Sequence, residues 1–350
     1  MSISPGRGGR RELVHRIRPE RSGGLGRAAS LLFFDVSLYL SLSAALLLSV
    51  NWWVKALLAL FAGIAIARLF LIGHDACHRT FFPSARGLNA VVGRVVFLPS
   101  LTPYSTWELG HNTLHHGFTN LRGKDYVYTP FSRTEFDALP PWRRLLERVY
   151  RHPAGPGLHY GIEVWWKRLW FPRRSGDHPE REIWLWDSIL TLGFLVTQVA
   201  VSIGVAHVTG QNPVAQVLWA VVLPFAIWNV LMGFVTYQQH THPNVAWYAD
   251  RREWDPIKAQ VQSTVHVVFP PPIGALLGNI MEHTAHHVDV AIPLFDLPEA
   301  QRRVESEFPE ITVVRWSLRY YLDCCRRCKL YDYESKSWIG FGSRNTSPSR

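Results

Sequence analysis

The chain has 350 residues, enough for one large domain or two small ones, and a formal charge of +10 from 37 Lys and Arg against 27 Asp and Glu. Hydrophobic residues make up 47% of it, with 15 Trp, in apolar runs of membrane-spanning length that alternate with stretches rich in Arg and His. The basic stretches flank apolar runs and carry no nucleic-acid motif, so the charge speaks for anionic lipid and against a nucleic-acid partner.

In chain order, residues 1–28 read as a basic, poorly ordered cytoplasmic arm. Seven Arg lie between Arg7 and Arg27, mixed with Gly, Pro and Ser. No small-residue cleavage site follows promptly, so a signal peptide is not expected. Residues 29–340 form the main domain. Its four apolar spans, about 31–50, 54–72, 183–207 and 213–237, are each long enough to cross a hydrocarbon core of about 30 Å. Asp35 interrupts the first. Lys55 and Arg68 sit towards the ends of the second, where both can snorkel. Pro224 predicts a kink in the fourth.

The spans pair through two turns, NWW and VTGQNP, that contain no Arg, whereas the other connections are loaded with Lys and Arg. The positive-inside rule therefore puts both termini and the long middle segment in the cytoplasm. The predicted fold is an all-α integral membrane protein: four transmembrane helices as two hairpins, with a cytoplasmic helical cap (73–182 and 238–340). Shorter apolar stretches at 88–101 and 265–280 read as interfacial or buried in the cap. Residues 341–350 read as a disordered tail. Cys324, Cys325 and Cys328 crowd into DCCRRC. A lone C-x-x-C is a weak zinc signal, and nothing indicates a secreted disulfide framework.

Histidine carries the strongest signal. Three strings, His74-Asp-Ala-Cys-His78, HNTLHH (His111, His115, His116) and HTAHH (His283, His286, His287), hold eight of the 16 His, and QQHTHP adds His240 and His242. Residues three or four apart share a helical face. His111 with His115, and His283 with His286 and His287, read as such sets, with His116 pointing elsewhere and free to reach a second metal. So many imidazoles exceed one tetrahedral zinc and make two ions the natural count. All the strings fall on the cytoplasmic side of a topology drawn from Lys and Arg alone. Asp75, Asn112, Glu108, Asn279, Glu282 and Asp289 flank them as candidates for orienting imidazoles, with Asp125 further off. Asn279, four before His283 and on the same predicted face, is favoured. Trp107, Trp228 and Phe234 are candidate linings for an apolar slot below the metals.

The strings resemble the three histidine boxes of membrane fatty acid desaturases, the first with Cys77 where that form usually has Gly. TPYSTWELGHNTLHH, TYQQHTHP, GNIMEHTAHH and the closing KLYDYESKSWIGF resemble the acyl-lipid omega-6 (delta-12) branch. The resemblance implies four transmembrane helices under a cytosolic cap and a non-haem di-iron centre. Its ligands would be His74, His78, His111, His115, His116, His283, His286 and His287, with His240 as the histidine after the fourth helix. It also implies O₂-dependent introduction of a cis double bond into an acyl chain. Iron can drive that reaction with O₂, and zinc, which has no redox chemistry, cannot.

The expected substrate is a fatty acyl lipid, or else acyl-CoA or acyl carrier protein. The two electrons come from an external donor such as ferredoxin or cytochrome b5, since no HPGG string or rubredoxin-like cysteine set is present. The composition suits a bacterial inner membrane. The rival readings are a hydroxylase, acetylene-forming enzyme or carotenoid ketolase on the same scaffold. More remote is a membrane metal carrier, which would place its ligands inside the spans.

Overall fold

The computed structural model describes residues 7–19, 24–171 and 182–342. Helix dominates, and four helices are long and apolar enough to cross a membrane: Leu25–Leu48, Trp52–Cys77, Ile183–Thr209 and Pro213–His240. The second and fourth outrun their predicted ends, and the extra turns matter. They carry His74 and His240 out of the apolar zone on continuous helix.

At the far end the two hairpin turns are tied together. Asn51 caps the second span by accepting from Trp53 N–H (2.9 Å) and Val54 N–H (3.4 Å). Asn212 caps the fourth by accepting from Ala215 N–H (3.0 Å). Lys55 is buried there rather than snorkelled: its ammonium donates to Gln211 (2.6 Å) and to Gln216. Arg68 does not reach for water either. It forms a forked pair with buried Asp35, at 2.6 and 3.1 Å. In both cases a partner within reach satisfies the charge without a detour to the interface.

The second and fourth spans cross closely because Gly63 faces the fourth. A Cβ there would meet Ile227 Cγ2 at 2.5 Å and the Pro224 carbonyl at 3.0 Å. Gln198 of the third span donates to the Tyr39 hydroxyl of the first (2.7 Å). The helix Arg86–Phe97 packs back on the second span at Gly73, where a Cβ would meet Phe97 at 2.2 Å. Its outer face exposes Leu88, Val91 and Val95, as an interfacial helix should.

The cap has a second core. The strand Val265–Val268 pairs in parallel with Thr312–Arg315, Val265 opposite Thr312. Leu330–Asp332 and Ser337–Ile339 form an antiparallel pair. The helix Arg7–Ile17 joins this core where composition predicted a poorly ordered arm. Leu13 and Ile17, four apart, give the arginine-rich segment one apolar face, and both are fully buried. Arg18 then pairs with Asp289 (2.6 Å) and Arg16 with Glu307 (3.1 Å). The predicted tail lies, from residue 343 onward, outside the described residues.

Candidate metal centre

The histidine strings converge in two groups: His74, His78, His111, His116 and His286; and His115, His240, His283 and His287. Within each group the nitrogens all lie within 4.8 Å of one another. All nine predicted ligands are included. His242 stays outside, against the Tyr320 ring at 6.0 Å.

The partition differs from the helical-face reading. Leu109–His115 is a π-helix, in which His116 N–H donates to the His111 carbonyl (2.9 Å). Residues five apart therefore align. His111 and His116 fall in the first group, and His115 turns to the second. In HTAHH, on the short helix His283–Val288, His283 and His287 are four apart and share the second group, while His286 faces the first. Each of these two strings thus feeds both groups.

The nitrogen geometry fits metal ions better than hydrogen bonds. Nε2 of His111 lies 3.0 Å from Nε2 of His74 and 3.0 Å from Nε2 of His116, which is itself 3.1 Å from Nε2 of His286. In the second group Nε2 of His240 and His283 lie 2.8 Å apart. One ring nitrogen has one proton or one lone pair, so a run of four cannot be satisfied internally. Two nitrogens bound at right angles to one ion at about 2.1 Å would sit about 3.0 Å apart. Burial first, then the charge of neighbouring imidazoles, holds His78, His111, His116, His283, His286 and His287 well below the usual histidine range. Neutral imidazole is the ligating form.

Outward-facing nitrogens are held by fewer groups than the sequence offered. Nδ1 of His115 lies 3.1 Å from both oxygens of Asp125, which also accept from Asn120 N–H (2.8 Å) and Val127 N–H (3.0 Å). Nδ1 of His287 donates to Gln260 Oε1 (2.7 Å), and Gln260 Nε2 donates to the His116 carbonyl (2.8 Å), so one amide links both groups. Gln260 sits in the helix Pro256–Gln262, far in sequence from any of the nine predicted ligands that could flag it.

Asp75 lies 3.6 Å from His74 Nδ1, beyond hydrogen-bond distance, and accepts from Leu294 N–H (2.9 Å). Asn112 donates to the Cys77 carbonyl (3.1 Å) and accepts from its thiol (3.3 Å), so it links two strings without touching an imidazole. Asn279 is not on a helix with His283: its φ is +57° and it donates to the Leu294 carbonyl (3.1 Å). Glu282 precedes the helix, its carboxyl pushed up to about 7 by burial. Asp289 is engaged by Arg18.

An apolar slot runs beneath both groups. Histidines of each group line it (His74 and His111; His115, His240 and His283), with Phe70, Trp107, Tyr126, Tyr160, Val164 and Met232 among its walls. Trp107 stacks on His111 at 4.2 Å. Trp228 and Phe234, also expected there, are not among its walls. Trp228 is fully buried against Phe70 and Tyr160, and Phe234 packs on Tyr321 in the cap.

Residues 51–319, well over half the chain, match the family model described as Fatty acid desaturase. The chain belongs to the fatty acid desaturase family. Among curated relatives, an sn-1 oleoyl-lipid 12-desaturase of Picosynechococcus sp. is 27% identical over 311 residues, 85% of this chain and 82% of that protein. Another of the same name from Synechocystis sp. is 28% identical over 302 residues, covering 83% and 80%. A chloroplastic omega-6 fatty acid desaturase of Glycine max is 26% identical over 288 residues, covering 81% of this chain and 64% of its own length. This membrane desaturase is therefore an oxidoreductase of fatty acyl chains, and its two histidine groups have the make-up of a metal site.

Proposed function

We propose that this desaturase introduces a cis double bond at the delta-12 (omega-6) position of a lipid-bound acyl chain, using O₂ and two external electrons. One iron ion would be held by His74, His78, His111, His116 and His286, and a second by His115, His240, His283 and His287. The observation that carries this is the convergence of both histidine groups over one apolar slot. The names of the relatives support the substrate class and position. The basic flanks support an orientation with the cap in the cytoplasm, where a ferredoxin-like or cytochrome b5-like donor can reach it, and the composition rich in Arg, Trp and Pro supports a bacterial inner membrane.

Bound iron would supply, with O₂ and electrons, the oxidising power that an unactivated alkyl C–H bond demands. The protein's part is placement. Asp125 and Gln260 fix the tautomer and ring plane of His115 and His287 by holding Nδ1, which leaves Nε2 to face inward. Trp107 braces His111 and walls the slot. The aromatic and aliphatic walls keep water from the reacting carbons and hold an extended chain under both groups. His115 and His287 are thereby pre-set, so little reorganisation is left for the moment of reaction.

The test is expression in a host that makes only saturated and monounsaturated lipids, with a co-expressed ferredoxin and reductase. Fatty acids are profiled by gas chromatography–mass spectrometry with double-bond localisation, and His283→Ala is the control. A delta-12 diene absent from the control is expected. A hydroxy acid instead would overturn desaturation while keeping the site, and a diene made equally by His283→Ala would overturn the site.

A further inference from the structure

The cap helix Pro141–Tyr150 is built inside out. Its inward face is polar: Glu147 and Arg151 are buried, and Glu147 accepts from Arg143 and from Arg151, each at 3.1 Å. Its outward face is apolar: Trp142, Leu145 and Val149, at spacings of three and four, are 67%, 64% and 40% exposed. The cap helix Leu297–Glu307 shows the ordinary order, with Leu297, Ala300 and Val304 buried and Arg302 exposed. A helix in water gains nothing by sequestering its ion pairs and turning a tryptophan and a leucine outward, whereas a helix lying on an apolar medium does. At 10 residues, or about 15 Å, it is too short to span a bilayer.

The chain that follows places this face beside the lipid. It turns at Gly155, packed on the Val149 and Tyr150 carbonyls, into Pro156–His159, which lies against the fourth span. A Cβ at Gly157 would meet Val230 Cα at 2.7 Å, and one at Gly233 would run into the Pro156 carbonyl. Val230 precedes His240 by about 15 Å of helix, so the contact lies below the histidines, on the membrane side. Val230 is exposed, and so is Leu158, the neighbour of Gly157. A second cap helix, Leu318–Arg327, repeats the pattern. Its Tyr321 packs on Phe234 of the fourth span at 5.3 Å and donates to the Pro153 carbonyl, while Leu318 and Leu322 are exposed. Two cap helices beside one span thus leave apolar side chains uncovered, continuous with that span's own lipid-facing surface.

We propose that Pro141–Tyr150 lies in the membrane surface on the histidine side, with Trp142, Leu145 and Val149 among the upper acyl carbons, and that this seat holds one wall of the slot in place. The partner is the bilayer itself. The link to the slot runs through the helix's polar face: the Tyr150 hydroxyl donates to Glu163 (3.0 Å), and Arg143 pairs with the same carboxylate (3.4 Å). Glu163 belongs to the helix Tyr160–Trp170, whose Tyr160 and Val164 line the slot. The consequence for the slot rests on the acyl-chain reading above; the seat in the membrane does not.

The experiment attaches a nitroxide to Leu145→Cys, to Val149→Cys or, as an aqueous reference, to Glu310→Cys. The full-length protein is held at one copy per nanodisc of phosphatidylcholine and phosphatidylglycerol. The four native cysteines are buried, and unsubstituted protein is the blank. Relaxation of the nitroxide by O₂, which concentrates in lipid, is compared with relaxation by a water-soluble nickel chelate. Both outward positions should read about 5–10 Å below the headgroup boundary, and Glu310, exposed in the cap, should read as water. Adding Leu145→Asp should move the Val149 label out to the chelate and speed hydrogen exchange over residues 160–170. Chelate access at Leu145 and Val149 equal to that at Glu310 would overturn the proposal and leave the face to a soluble partner. Labels shielded from both reagents would overturn it in favour of a contact within the protein. Unchanged exchange over residues 160–170 after the helix has lifted would overturn its hold on the slot. No reading needs turnover, so a protein that labels as expected yet makes no diene would remove the desaturation reading and leave the membrane seat standing.

Discussion

Asp125→Asn separates the two histidine groups chemically. The Asp125 carboxylate is buried and holds His115 Nδ1 at 3.1 Å from each oxygen, while accepting from Asn120 N–H (2.8 Å) and Val127 N–H (3.0 Å). An amide keeps the volume but has one acceptor oxygen. Its NH₂ must face one of those backbone donors, at a cost of about 1–3 kcal/mol for the unmet pair. It also removes the negative charge that makes His115 a better ligand, for which about 10–100-fold in metal affinity is typical. His115 belongs with His240, His283 and His287, so the loss should stay in that group. The assay is iron per chain by plasma mass spectrometry after dialysis against graded chelator. Half of the bound iron should leave at a chelator concentration that wild type withstands. Loss of all the iron at once, or no change from wild type, would refute the two-group partition or the role given to Asp125.

By the same partition, His286→Ala and His287→Ala should weaken opposite ions, and their iron-loaded forms should give different absorption spectra; identical spectra would contradict the split. Arg68→Met leaves Asp35 buried without its partner and should cost about 3–5 kcal/mol, read as a lower unfolding temperature in detergent. Gly110→Ala would set a Cβ 2.4 Å from the Tyr126 hydroxyl, so thermal stability should fall by the equivalent of about 1–3 kcal/mol. Metal-free protein should lose stability as pH falls below about 6.5. Its buried histidines stay neutral to lower pH than in the unfolded chain, so the unfolded state binds more protons. The expected slope is up to about 1.4 kcal/mol per pH unit for each histidine, seen in unfolding at stepped pH.

The spans were legible because lipid demands long apolar helices, and the gathering of the histidines because imidazoles that dense have few other uses. What escaped depended on local geometry. A spacing of four reads as one face only if the helix is α, and the π-helix at Leu109–His115 reassigned His115 and His116. Counting four back from His283 puts Asn279 on its helix, yet Gly278 and Asn279 are both in left-handed conformation and the helix starts only at His283. Gln260 had no signal, since it is a distant side chain folded under His287. The helix Arg7–Ile17 was hidden by its arginines, because its apolar face is only two residues wide where the side chains are described.

The most direct measurement is a single turnover without any partner protein. The iron-loaded enzyme is chemically reduced, freed of reductant, mixed with oleoyl lipid and exposed to O₂. Reduced iron then supplies the two electrons that, with two protons and the two hydrogens removed, take O₂ to water. A delta-12 diene, at no more than one per chain and absent from metal-free and zinc-loaded protein, is the predicted result. A hydroxylated product, or a diene from zinc-loaded protein, would contradict the account.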